Sequence, residues 1–268
     1  MKLGYQTNTW GGVVGHPNGV TSIKDLYYLA NGSTEEALAD ISAAGYEGFE
    51  LFDGNLMAYE NEPDRFKSLM RQHGLQFIGV YVGANFIYPD IWKDELYRIE
   101  RTARLAASLG AEHLVAGGGA IRHDGTTEDD YKRLAAGLDE VTRMAAKYGL
   151  TASYHPHLGT IVQAPEQLRK LTELTDVKLC PDTAHIEAGG GDPLETIRTY
   201  IDRIEYVHFK DYRNGRFVPL GQGSQKFSAM LDVLKAHQYD GWLTVELDSF
   251  PNPKEGAETS MQFLKGIL

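Results

Sequence analysis

The chain has 268 residues, 42% of them hydrophobic and 24% charged, with a formal net charge of −11. That composition excludes a disordered chain and is enough for a large buried core. The acidity, with no Lys/Arg-rich run to relieve it, argues against a nucleic-acid partner and against an anionic membrane surface, both of which need a basic face.

Residues 2–8 read as a first strand, followed by a long loop over 9–33. Ser33 and the acidic pair Glu35-Glu36 then open a helix over 34–44, which Gly45 closes. The pattern continues with strands at 48–52, 76–82, 113–117, 151–155, 177–181, 204–209 and 242–247. Helical periodicity falls between them at about 63–73, 93–109, 127–148, 164–174, 193–202, 226–237 and 256–267. Gly74, Gly110 and Gly149 close further helices, and Asp192-Pro193 supplies a cap with a proline at the first helical position. Strict β/α alternation predicts a parallel sheet, and eight repeats in this length are what a closed (β/α)₈ TIM barrel needs. An open, doubly wound sheet would usually carry a glycine-rich turn leading straight into a helix. Here Trp10-Gly11-Gly12-Val13-Val14-Gly15 follows the first strand instead. Without a linker or low-complexity tract, residues 1–268 read as a single domain.

No run of 18 apolar residues is present, so no membrane span is expected. The single cysteine, Cys180, allows no internal disulfide, and the start of the chain lacks the apolar stretch of a secretion signal. Both point to the cytoplasm.

Ionisable residues gather at the C-terminal ends of four successive strands. These ends read Tyr154-His155-Pro156-His157, Pro181-Asp182-Thr183-Ala184-His185, Val207-His208-Phe209-Lys210-Asp211 and Val245-Glu246-Leu247-Asp248. Neighbouring strands lie about 4.8 Å apart, so one side chain from each can reach a common point. His155, Asp182, His208 and Glu246 are therefore the expected metal ligands. A divalent cation would offset the desolvation of these groups and the mutual repulsion of the two carboxylates. Mixed imidazole and carboxylate donors suit Mn²⁺, Co²⁺, Zn²⁺ or Fe²⁺ better than Ca²⁺ or Mg²⁺, and Mn²⁺ is the favoured ion.

His157, His185 and Lys210 surround this set and, with Glu246, are the expected proton carriers and substrate contacts. Trp10, just past the first strand, is expected to stack on a sugar face, and Glu50, ending the second, to bond a substrate hydroxyl. Asp211 and Asp248 read as helix caps. The remaining histidines, His16, His73, His113, His123 and His237, read as surface or core residues. Glycine clusters at Gly117-Gly118-Gly119, Gly189-Gly190-Gly191 and Gly221-Gln222-Gly223 raise the question of a phosphate-binding loop, for which tight turns are the simpler reading. Barrels of this type often pair, which leaves a homo-oligomer open. The aromatic stretch Phe86-Ile87-Tyr88-Pro89 is a candidate to cover a neighbour or a ligand.

Asp182-Thr183-Ala184-His185 resembles the D-T-x-H signature of the xylose-isomerase-like barrel superfamily. Val207-His208-Phe209-Lys210-Asp211 resembles its V-H-x-K-D signature, and Glu246 stands at its strand-eight ligand position. Within that group the second half is most similar to the inosose dehydratases. The segments that carry this are Tyr154-His155-Pro156-His157-Leu158-Gly159-Thr160, Pro219-Leu220-Gly221-Gln222-Gly223 and Tyr239-Asp240-Gly241-Trp242-Leu243. Thr7-Asn8-Thr9-Trp10 and the loop behind it depart from the pattern. The resemblance implies a metal-dependent lyase acting on a small polyol or keto-sugar such as an inosose. The alternatives are a ketose isomerase or 3-epimerase and, from another class, a non-catalytic sugar-binding barrel. Resemblance to the 3-epimerases would imply paired metal-bound glutamates, but the strand-five position here is His155. The endonuclease members of the group carry extra histidines after strands two and three. Those ends here read Phe52-Asp53-Gly54 and Val82-Gly83-Ala84.

Overall fold

A computed structural model of the chain describes residues 1–10 and 27–268. Residues 11–26, which include His16 and most of the loop after the first strand, lie outside the described part. The elements run β1 (Lys2–Gln6), α1 (Thr34–Ala44), β2 (Gly48–Phe52), α2 (Asp53–Met57), α3 (Pro63–His73), β3 (Gln76–Ala84), α4 (Trp92–Ser108), β4 (His113–Gly118), α5 (Glu128–Lys147) and β5 (Thr151–Tyr154). They continue with α6 (Pro165–Thr172), β6 (Lys178–Leu179), α7 (Thr183–Ala188), α8 (Pro193–Tyr200), β7 (Val207–Phe209), the pair β8 (Asp211–Arg213) and β9 (Arg216–Val218), α9 (Phe227–Ala236), β10 (Trp242–Val245) and α10 (Pro253–Ile267).

The sheet order is β6-β5-β4-β3-β2-β1-β10-β7, with every adjacent pair parallel. Its two end strands meet through isolated parallel bridges, Leu179 with Ile204 and Asp182 with His208. The sheet thus curls back on itself as the alternating pattern predicts, and the C-terminal ends of all eight strands face one mouth.

The helix boundaries follow local chemistry. The Ser33 side chain accepts from the Glu36 amide, and Gly45 ends α1 at φ 95°. At α5 the Thr127 and Asp130 side chains cap each other's backbone. Two apolar layers result. One lies between sheet and helices and includes Phe49, Leu114, Val207 and Leu243. The other fills the barrel itself with Phe52, Ile78, Tyr81, Val115, Cys180, Tyr206 and Trp242.

Several expected elements differ in the structure. The first strand stops at Gln6 because the Gln6 side chain accepts from the Asn8 amide and turns Thr7–Thr9 into a short 3₁₀ segment. The expected strand 177–181 shortens to Lys178–Leu179, and α7 begins directly behind it, where the Asp182 side chain accepts from the His185 amide. The last helix starts earlier than expected, capped by Asn252 with Pro253 at its first turn. Phe86 and Ile87 are fully buried, so they belong to the core rather than to a surface that covers a neighbour.

Candidate metal centre

The sequence places His155, Asp182, His208 and Glu246 at the C-terminal ends of β5, β6, β7 and β10, and the fold brings those ends together. All four residues are buried, and one donor atom of each lies within 4.8 Å of the others. His155 Nε2 stands 3.7 Å from Asp182 Oδ2 and 3.7 Å from Glu246 Oε2, while His208 Nδ1 stands 2.7 Å from Glu246 Oε2. His155 Nε2, Asp182 Oδ2, His208 Nδ1 and Glu246 Oε2 have no hydrogen-bond partner. An unsatisfied buried polar atom costs about 1–3 kcal/mol. Four of them aimed at one point fit a group that could hold a divalent ion.

The surrounding atoms hold these donors in place. The other nitrogen of His208, Nε2, lies 2.9 Å from Glu50 Oε2. Glu246 Oε1 accepts from Asn8 Nδ2 at 3.2 Å and from Lys210 Nζ at 3.3 Å. Asp182 turns Oδ1 to the His185 amide and leaves Oδ2 free. Asp182, His208 and Glu246 thus face the centre with one atom and are braced through another, the division expected between a metal ligand and its support.

Lys210 is fully buried, with Nζ in contact with Asp248, Glu246, Asp182 and His185 Nε2. Burial works against its charge, but the carboxylates of Asp248, Glu246 and Asp182 outweigh that and hold it as an ammonium. Burial pushes the Asp248 carboxyl up to about 7, against the pull of Lys210. His157 and His185 lie with ring centroids 3.8 Å apart. Burial, aided by His155 and Lys210, lowers His157 to about 4. Burial, His157 and Lys210 hold His185 well below its usual value. Both are therefore neutral imidazoles. His157 Nδ1 sits 2.6 Å from the Leu158 carbonyl and must donate to it, so its Nε2 is left with a free lone pair.

Other expected site residues find different surroundings. Glu50 is fully buried with its carboxylate against His208, so it is not exposed at the mouth. Trp10 packs edge-on against Tyr5 in the layer between sheet and helices and donates its indole N–H to Asp40, so it does not present a face at the mouth. Asp211 caps no helix. Its carboxylate accepts from the amides of Tyr212, Gly221 and Gly223. Those amides are thereby unavailable to a phosphate. Asp248 likewise caps no helix and pairs with Lys210. His113, at the opposite end of β4, stacks on Tyr206 in the barrel interior.

Two features went unread in the sequence. Asn8 reaches Glu246 because of the turn that ends β1. Phe217, on the β8–β9 hairpin, lies 4.4 Å from Lys210 Nζ and 5.0 Å from the His185 ring. The Asn214-Gly215 pair, with both residues at positive φ, is the turn signal that announces that hairpin.

An eightfold parallel barrel with a cluster of histidine and carboxylate donors at its C-terminal mouth defines a class of TIM-barrel proteins with a candidate metal-binding site. The chain belongs to the xylose isomerase-like TIM barrel family, whose profile matches residues 38–267. It is 29% identical over 271 residues to an inosose dehydratase of Lacticaseibacillus casei, covering 87% of this chain and 89% of that protein. An inosose dehydratase of Clostridium tetani is 34% identical over 164 residues, 52% of this chain and 55% of that one. Among solved structures, D-psicose 3-epimerase from Clostridium cellulolyticum H10 superposes with a TM-score of 0.79 at 15% identity, covering 100% of this chain and 99% of that one. The probable 3-DHS dehydratase of Bacillus anthracis superposes at 0.76 and 16% identity, covering 99% of each.

Proposed function

We propose that the protein is a divalent-metal-dependent enzyme that dehydrates a small cyclic keto-polyol of the inosose type. The observation that carries this is the set of four buried, partnerless donor atoms on His155, Asp182, His208 and Glu246. The names of the inosose dehydratase relatives supply the reaction class. A bound cation, Mn²⁺ by preference, would act as a Lewis acid that acidifies the proton next to a ketone.

The chain's own groups divide the remaining work. His157 Nε2, neutral and with a free lone pair, is the group placed to accept that proton. The Lys210 ammonium stands ready for the negative charge that develops on the substrate oxygen. His185 Nε2 accepts from Lys210, so its Nδ1–H faces away from that contact; a proton given from Nδ1 to a departing hydroxyl would be replaced at Nε2 by one from the Lys210 ammonium, which keeps the imidazole neutral. Glu246, with one oxygen held by Asn8 and Lys210, serves as a ligand ahead of any proton transfer. The competing reading, epimerisation by two metal-bound glutamates, is weakened by His155 at the β5 position.

Incubation of the metal-loaded protein with scyllo-inosose and, separately, with free ketohexoses tests the proposal. Loss of water with growth of ultraviolet absorbance from inosose alone is the expected result. Stereoisomers of unchanged mass from the ketohexoses would overturn it in favour of an epimerase. Asp182→Asn keeps the amide-accepting oxygen that caps α7 while removing the ligand charge. Both Asp182→Asn and His155→Ala are expected to lose metal and turnover together.

A further inference from the structure

We infer that Phe217 is a substrate-contacting specificity residue whose ring selects six-membered cyclic polyols with equatorial hydroxyls over open-chain sugars. This rests on the reading of the centre as a polyol site and deepens it by naming the residue that selects the shape of the substrate.

The hairpin that carries Phe217 is held at its root. Asp211, almost fully buried, ties β8 to the segment behind β9 through the amides of Gly221 and Gly223. A Cβ at Gly223 would lie 2.0 Å from that carboxylate, so the close approach requires glycine. Phe217 is thus a fixed wall. It is partly exposed and lines, with Leu158, Tyr212, Arg216, Asp248 and Ser249, a cavity of about 380 Å³, while Lys210 Nζ lies over its ring at 4.4 Å. That volume falls in the range of small-molecule sites, roughly 300–1,000 Å³. Asp248 belongs to this cavity and to the Lys210 pair, so the cavity adjoins the ionised groups beside the four ligands.

The chemistry of the wall sets what it recognises. An aromatic face gains most from a flat apolar partner brought up in a fixed orientation. A six-membered ring with equatorial hydroxyls offers that partner, since its axial C–H bonds form an apolar face while its hydroxyls point outward. An open-chain ketose has no such face until it is ordered, at a cost in conformational entropy. Tyr212, 5.8 Å from the Phe217 ring, extends the same surface.

The test measures equilibrium binding of scyllo-inositol and of D-sorbitol, an open chain with as many carbons and hydroxyls. Calorimetry is run on the wild type, Phe217→Trp and Phe217→Ala, each with and without Mn²⁺. The expected result is a preference for scyllo-inositol of roughly five- to tenfold. Phe217→Trp keeps it and Phe217→Ala reduces it to within about twofold. A wild type that binds the two polyols equally, or neither, overturns the inference, as does an alanine variant that keeps the preference. A separate titration with Mn²⁺ alone reports on the metal reading, so loss of one conclusion is distinguishable from loss of the other.

Discussion

Glu50 and His208 meet across the barrel, from the middle of β2 to the middle of β7, with Oε2 and Nε2 2.9 Å apart and both side chains fully buried. The contact keeps a proton of His208 on Nε2, so that Nδ1, which faces Asp182, Glu246 and His155, is the nitrogen that can be deprotonated toward an ion. Replacing Glu50 with Gln keeps the volume but lets the amide present either an oxygen or an N–H to His208. We expect metal affinity to fall by about 10–100-fold, the usual cost of losing such a support. Titration with Mn²⁺ followed by calorimetry measures it, and unchanged affinity would show that Glu50 does not orient the ligand.

Metal binding should depend on pH through the same residues. In the metal-free protein, burial opposes a charge on His155, but Asp182 and Glu246 outweigh it and raise the imidazole above its ordinary value. Burial likewise opposes a charge on His208, and Cys180, Glu50 and Glu246 outweigh it. A raised value means the proton is held to higher pH and competes with the ion there. Apparent affinity is expected to rise with pH through the neutral range, about tenfold per unit for each proton released. A flat profile between pH 6 and pH 8 would contradict it (roughly the span over which a histidine titrates).

Lys210→Met removes the one ammonium that, among the described residues, contacts Asp182, Glu246 and Asp248. Breaking a buried pair from one side costs about 3–5 kcal/mol, because the abandoned carboxylates stay buried. A melting experiment should show that loss. Adding Asp248→Asn should recover a large part of the stability, while turnover stays lower by a factor of about 10² to 10⁴. Recovery of turnover along with stability would assign Lys210 a purely structural role.

The four donors straddle the seam of the barrel. β6 and β7 share only isolated bridges, and one of these joins Asp182 to His208. An ion at the centre would tie both sides. At a free concentration a hundredfold above Kd the folded state gains about 2.7 kcal/mol, which should lift the melting temperature by several degrees. Hydrogen exchange of the Cys180 and His208 amides, bonded to Tyr154 and Pro181, should slow on metal addition. A melting temperature indifferent to metal would argue against binding at this place.

Much of this arrangement was legible from residue types alone. Strands read from short apolar runs and helices from glycine and proline punctuation recovered all eight barrel repeats, because that periodicity reports burial directly. The four donors were legible because parallel strands put their C-terminal ends side by side. The supports were harder to read. Whether Glu50 faces a substrate or a histidine is decided by a partner 158 residues away, and no local pattern carries that. Trp10 was misread because a tryptophan behind a strand looks the same whether it packs outward on α1 or leans over the mouth. The turn at Thr7–Thr9, which delivers Asn8 to Glu246, hangs on one side-chain hydrogen bond from Gln6. The hairpin carries a local turn signal in Asn214-Gly215, but a single signal between two three-residue strands went unread.

The hairpin after β7 and the barrel strands contribute to the site on different terms. The ionisable groups sit on strand ends that the whole barrel must position. Phe217 and Arg216 ride on a short insert that is tied at its root by the Asp211 carboxylate, with the Leu220 amide donating to Ser260 behind it. A segment that leaves and rejoins the barrel through one buried carboxylate is a natural place for transplantation. Exchanging residues 212–220 between members of this family, with Asp211, Gly221 and Gly223 kept, should remodel which molecules are accepted while leaving the reactive centre intact. Substrate profiles of such chimaeras, set beside their metal affinities, would show whether selection and chemistry are separable in this barrel.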